Sequence, residues 1–151
     1  MSIVVYSNGV MASDSLVVTN GTREGEVEKI FRMEKNGIVS LFGMVGDMNK
    51  LTLFREWVES LSKVAPKLNE LTSKESSLNA FSVISKNTGV FNVVDDYCVP
   101  YSVKAPFYAI GSGRDHALGA LEAGATAVEA VQIAIKLDIS CGGSIQTLSF
   151  K

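Results

Sequence analysis

The chain has 151 residues, of which 46% are apolar and 20% charged, with a net charge of −2. That length suits one domain over residues 1–151 with a core of useful size, and the near-neutral balance gives no electrostatic footprint for nucleic acid or an acidic membrane surface. Two cysteines and a single histidine exclude a disulfide framework and a zinc-type ligand set, so neither metal nor cofactor is expected. No basic segment leads into a long apolar stretch, and no run of about 18 apolar residues occurs. The expected location is the cytoplasm.

Ser2 opens directly into the apolar run Ile3-Val4-Val5-Tyr6. Met1 is normally clipped before so small a side chain. Its loss would leave one residue carrying both a hydroxyl nucleophile and a free α-amine able to act as its base. An unperturbed amine titrates at roughly 7.7–8.0, close to working pH. Met-Ser starts are common, so Ser2 by itself is also an ordinary second residue.

Asn8-Gly9, Asn20-Gly21 and Asn36-Gly37 each separate apolar or alternating stretches, the strongest local signal for a hairpin. They delimit strands expected at 3–6, 10–13, 15–19, 26–33 and 38–44. Val27, Lys29, Phe31 and Met33 share one face of the fourth strand, which turns a lysine inward; that phase argues against the plainer reading, an edge-strand charge that discourages aggregation. Asp14, in Ser13-Asp14-Ser15, suits a turn. Leu51, Phe54, Val58 and Leu61 recur at helical spacing, predicting an amphipathic helix over 47–63. Trp57 and Leu53 lie off that stripe, where packing between subunits would use them. Residues 64–76 read as a connection with room for a short extra turn. A hairpin follows, with Phe81, Val83 and Ser85 in one arm, a turn at Asn87-Thr88-Gly89, and the run from Val90 to Val94 in the other. Phe107–Ile110 reads as a short strand, 114–123 and 126–138 as helices stopped by Gly142-Gly143, and Ile145–Phe150 as a last strand. Two sheets face to face with helices outside satisfy this order.

Several segments then resemble the N-terminal-nucleophile hydrolases of the proteasome β-subunit and HslV type, most of all the short phage and prophage members. They are Asn8-Gly9-Val10-Met11-Ala12-Ser13-Asp14, Val27-Glu28-Lys29-Ile30, Met44-Val45-Gly46, Ile110-Gly111-Ser112-Gly113 and Asp138-Ile139-Ser140-Cys141-Gly142-Gly143. The resemblance runs from Ser2 to the last strand. It implies an α+β fold, the four-layer αββα sandwich.

By the same resemblance Ser2 takes the nucleophile position, usually threonine. Lys29 matches the active-site lysine and Asp14 the acid that holds it. Gly46 supplies an oxyanion N–H, while Ser112, Asp138 and Cys141 surround the terminal amine. The chemistry is coherent: a cation beside the hydroxyl and amine depresses their pKa values, and a carboxylate keeps that cation aimed. The resemblance also implies a peptide or unfolded-protein substrate, a homo-oligomeric ring and an ATP-dependent unfoldase. Serine in place of threonine and Cys141 in place of serine are departures. A retained Met1 would turn the amine into an amide and leave a catalytically inactive ring or scaffold subunit; a small amide is a further substrate class. His116 beside Asp115 is no triad, since adjacent helical residues point apart. Cys98 reads as an inert thiol.

Overall fold

The Asn-Gly pairs shape the first part of the chain. Both residues of each pair have positive φ, from 49° at Asn8 to 80° at Gly9, the backbone that a two-residue hairpin turn demands and that asparagine and glycine tolerate best. They join β1 (Val4–Ser7) to β2 (Val10–Ser13), β3 (Leu16–Thr19) to β4 (Thr22–Glu26), and β5 (Ile30–Lys35) to β6 (Ile38–Val45). The structure is a computed structural model, and it describes residues 2–71, 77–85 and 89–150. Met1, residues 72–76 of the expected connection, and Asn87-Thr88 of the expected turn lie outside the described residues.

The remaining strands are β7 (Asn79–Ile84), β8 (Val90–Val94), β9 (Tyr101–Lys104), β10 (Phe107–Ile110) and β11 (Gln146–Ser149). Among the described residues the strands form three sheets: β10-β1-β2-β11, the ribbon β3-β4, and β5-β6-β7-β8-β9. Every pairing is antiparallel. The helices are α1 (Met48–Ser60), α2 (Arg114–Glu122) and α3 (Ala127–Leu137). Asp47 caps α1 by accepting from the N–H groups of Asn49 and Lys50. Thr126 and Glu129 cap α3 reciprocally as a capping box.

Alternation along β1 and β2 divides the core. Ile3, Val5 and Ala12 face α2 and α3, where Ala117, Ala130, Val131 and Ala134 are buried. Val4, Tyr6 and Met11 face the five-stranded sheet and meet Ile30, Leu41, Phe81, Val83 and Phe91. On that sheet's other side Phe31, Met44 and Ala80 pack against Leu51 and Phe54 of α1. The aromatic rings between the sheets meet mainly edge-on: Phe81 lies 5.9 Å from Phe91 and 5.1 Å from Tyr108, a geometry that adds about 0.5–1.5 kcal/mol per pair beyond burial.

This corrects the expected four-layer αββα sandwich. The described residues are mostly antiparallel sheet with three α-helices. Among the described residues two helices cover the four-stranded sheet and one, α1, covers the five-stranded one, followed by a 3-10 turn at Leu68–Glu70. The ribbon β3-β4 forms a third sheet, with β4 exposed throughout. The strand expected over 26–33 is also corrected: β4 ends at Glu26 and β5 starts at Ile30. Trp57 packs edge-on against Phe54 at 6.1 Å and donates to the Ser62 carbonyl. No helix among the described residues is long and apolar enough to cross a membrane.

Candidate active site

Topology decides what surrounds Ser2. β1 is central in its sheet, and both neighbours run antiparallel to it, so they end where β1 begins. Val4 pairs with Ser13 on one side and Ile110 on the other, which brings Asp14 and the Gly111-Ser112 turn to either flank of Ser2. β11 starts with Gln146 opposite Ser13, so the loop after α3 reaches the same end. Lys29 enters from the link between β4 and β5.

Asp14 is the hub. Its carboxylate is 0% exposed. Oδ1 accepts from the N–H of Ile3 at 3.1 Å and from Lys29 Nζ at 2.9 Å; Oδ2 accepts from the Gly142 N–H at 3.0 Å. The ammonium therefore shares an oxygen with the residue next to Ser2. Lys29 is fully buried and also donates to the Leu16 carbonyl at 2.8 Å. Burial pushes its pKa below the ordinary lysine value, and the charge and hydrogen bond of Asp14 pull it partly back.

On the other flank the Ser2 nitrogen donates to Ser112 Oγ at 3.2 Å, and Gly113 N–H donates to the Ser2 carbonyl at 3.2 Å. Gly111 has φ 111°, and a Cβ there would run into that carbonyl; glycine is required where β10 closes on Ser2. Ser112 Oγ lies 3.9 Å from Cys141 Sγ. Cys141 is 2% exposed, and burial, reinforced by the charges of Asp14 and Asp138, pushes its thiol up to about 12. It is a neutral thiol at working pH, unsuited to act as a nucleophile.

Asp138 caps the end of α3, accepting from the Ser140 N–H at 2.8 Å. Burial raises its pKa, but hydrogen bonds from Ser140, Ser112 and Cys141 outweigh that and leave it below the usual carboxylate range. Those donors offset the unfavourable position of a carboxylate at a helix C-terminus. Gly46 arrives from the other sheet between β6 and α1, with φ 127°; a Cβ there would strike the Ser77 carbonyl.

The structure thus links Ser2, Asp14, Lys29, Ser112, Asp138 and Cys141 through one set of contacts and brings Gly46 to a cleft that Ser112 also lines. Sequence reasoning missed the Leu16 carbonyl and the Gly142 N–H, since backbone groups leave no mark in composition. It also missed Glu26, whose Oε1 accepts from Ser15 Oγ at 3.0 Å and from the Ser144 N–H at 2.5 Å. Together with the bonds from Ser15 and Leu16 N–H to the Gly142 carbonyl, it fixes the loop that serves Asp14. His116 is exposed. Cys98 is buried, with its pKa raised by burial and by Asp96 and Asp95.

Two concavities flank these residues. One, of about 520 Å³, has Gly46, Ser112 and Arg114 among its walls. The other, of about 410 Å³, lies beside Val27, Met44 and Met48, with Glu28, Glu56 and Glu59 around it. Among the described residues no cluster of His, Cys, Asp or Glu is placed to hold a metal ion.

No family model and no curated protein matches the chain. Solved structures do. A Gly-1 mutant of Anbu from Hyphomicrobium sp. strain MC1 has a TM-score of 0.74 at 13% identity, covering 100% of this chain and 82% of that one. Anbu, the ancestral beta-subunit, from Yersinia bercovieri has 0.72 at 10%, covering 99% and 81%. The helical assembly of the Anbu complex from Pseudomonas aeruginosa has 0.70 at 12%, covering 99% and 80%. These neighbours correct the resemblance to the proteasome β-subunit and HslV type and to phage members: the fold of this chain is that of Anbu, a proteasome-like but distinct group.

Proposed function

We propose that the chain is a proteasome-related subunit, one domain over residues 1–151, that hydrolyses amide bonds with Ser2 after removal of Met1. The carrying observation is the shared oxygen of Asp14, which ties a buried ammonium to the residue after Ser2 while the Ser2 nitrogen reaches Ser112. In this reading the freed amine takes the proton of the Ser2 hydroxyl as Oγ bonds to the carbonyl carbon. Lys29 stabilises the developing alkoxide, and the Gly46 N–H faces the oxyanion. Collapse breaks the C–N bond, and the amine returns its proton to the leaving nitrogen. Water, deprotonated by the same amine, then cleaves the ester and restores Ser2. Ser112 and Asp138 hold the amine in place, and Cys141 fills the space beside them.

Peptides or unfolded proteins are the proposed substrates. The chain would assemble with copies of itself, as the P. aeruginosa neighbour's helical assembly suggests, burying apolar side chains such as Ile139 (91% exposed) and Val99 (69% exposed). An ATP-dependent unfoldase would supply unfolded chains. Incubation with unfolded casein and a peptide panel tests this: wild type should cleave, and Ser2→Ala should not. A second reading has support in the burial of Ser2, which is 5% exposed: a non-catalytic assembly subunit that keeps Met1. Absence of cleavage by a protein of full-length mass would favour it.

A further inference from the structure

The cleft beside Ser112 carries a feature that amide hydrolysis alone does not require. Its walls come from both larger sheets and include Gly46, Asn79, Tyr101, Tyr108, Ser112 and Arg114. Among the described residues that line it, Arg114 is the cation and none is a carboxylate. Among the described residues the Arg114 guanidinium makes no ion pair, whereas Arg55 at the other concavity is paired with Glu28 and Glu59. The two concavities therefore differ in sign: the second has three carboxylates and one already neutralised arginine. Burial raises the phenol pKa of Tyr108 and nearby Tyr101 adds to this, while Arg114 draws it down.

The shape of the wall indicates what kind of molecule would lie there. Tyr108 through Ser112 line it without a break, and β10 is an edge strand of its sheet. An edge strand offers backbone N–H and C=O groups at alternate residues, the template to which an extended peptide adds. A lone phosphate or small anion would use the arginine but none of that wall. Tyr101, 56% exposed, supplies apolar ring surface beside it, while the Tyr108 ring is stacked on Phe91.

We propose that this cleft binds a peptide in extended form along β10 and selects an acidic side chain through Arg114. The inference rests on the hydrolase reading for its purpose and deepens it: the cleft begins at Ser112 and Gly46, so its occupant is the part of the substrate on one side of the reacting bond. The acidic residue then sets which way the peptide lies across Ser2, because the opposite concavity repels it. Arg114 is a specificity residue here, with no part in bond making.

The test is a binding measurement, so it does not depend on turnover. Fluorescence anisotropy would be read for a short neutral peptide carrying one glutamate, scanned along its length, against twins with glutamine. Wild type and Ser2→Ala proteins would both be used. At least one glutamate position should bind about two- to fivefold tighter than its twin, the range of an exposed ion pair, and the preference should shrink as salt rises. Arg114→Gln should abolish the preference, and Arg114→Lys should keep part of it. Equal affinity of all twins, or a preference that survives in Arg114→Gln, would overturn the proposal. Arg114 is exposed, so an unchanged unfolding midpoint will show that these variants fold. Failure of the hydrolase reading would leave this preference intact, and failure of the preference would leave cleavage by Ser2 intact.

Discussion

Replacing Lys29 with methionine keeps most of the side chain's volume and removes its charge from a site that water does not reach. Lys29 and Asp14 are both 0% exposed, and their atoms meet at 2.9 Å. Asp14 would keep two backbone donors, from Ile3 and Gly142, but its negative charge would lose the ammonium, and the Leu16 carbonyl would lose its donor. Breaking one half of a buried pair costs about 3–5 kcal/mol. With a urea slope of about 2 kcal/mol per molar, the unfolding midpoint should fall by roughly 1.5–2.5 M with the slope unchanged. Asp14→Asn in the same chain removes the stranded charge while leaving an acceptor for Ile3. The double variant should therefore be less destabilised than the sum of the singles by roughly 1–3 kcal/mol. A loss under about 1 kcal/mol for Lys29→Met, or strictly additive singles, would refute the view that the two groups act as a buried pair.

Three other predictions concern the same end of the molecule. The Cys141 thiol is raised from 9.0 to about 12, so the unfolded chain loses that proton first; its stabilising contribution is complete below about pH 9 and lost as pH rises toward 12. By about pH 10 the loss is about 1.4 kcal/mol, and urea titrations at pH 8 and 10 should show a correspondingly smaller drop for Cys141→Ala than for wild type. The lowered pKa of Lys29 acts in the opposite sense in both proteins, so the difference between them reports the thiol together with its charge interaction with Lys29. Glu26 has a lowered pKa, chiefly from the Ser144 N–H and then from Ser15. The stability it contributes is present above its unfolded value and lost as pH falls through the folded one. Glu26→Gln should flatten that acid limb and speed amide exchange at Gly142 and Ser144, read by NMR. Gly46→Ala forces a side chain into φ 127° and against the Ser77 carbonyl, and should cost at least about 1–3 kcal/mol in a denaturant titration.

Much of this architecture was legible in the sequence where local chemistry and burial agree. The three Asn-Gly turns, α1 and α3 fall within a few residues of their expected places, because turn residues and helical stripes encode them directly. β4 was not legible: Thr22–Glu26 is exposed throughout and shows no alternation, and pairing to β3 alone makes it a strand. β9 escaped for a similar reason, being an exposed edge held by β8. The run Val27-Lys29-Phe31-Met33 mimicked a continuous strand, yet the chain breaks at Lys29, whose side chain bonds to Asp14 and to the carbonyl of Leu16. Periodicity says which face is buried and not what covers it, so the layer count was out of reach. The resemblance to the proteasome β-subunit and HslV type failed on comparable grounds: short segments around Asp14, Lys29 and Gly46 carried it, and segments so short do not tell apart groups that share a fold.

The central claim is that Ser2 carries a free amine and a reactive hydroxyl beside the Asp14–Lys29 pair. Intact-mass spectrometry of the purified protein, before and after treatment with a β-lactone probe and followed by peptide mapping, addresses it most directly. The account predicts loss of Met1 and one adduct located on Ser2, absent from the Lys29→Met protein under conditions where that variant stays folded. A chain that retains Met1 and takes up no probe would contradict it.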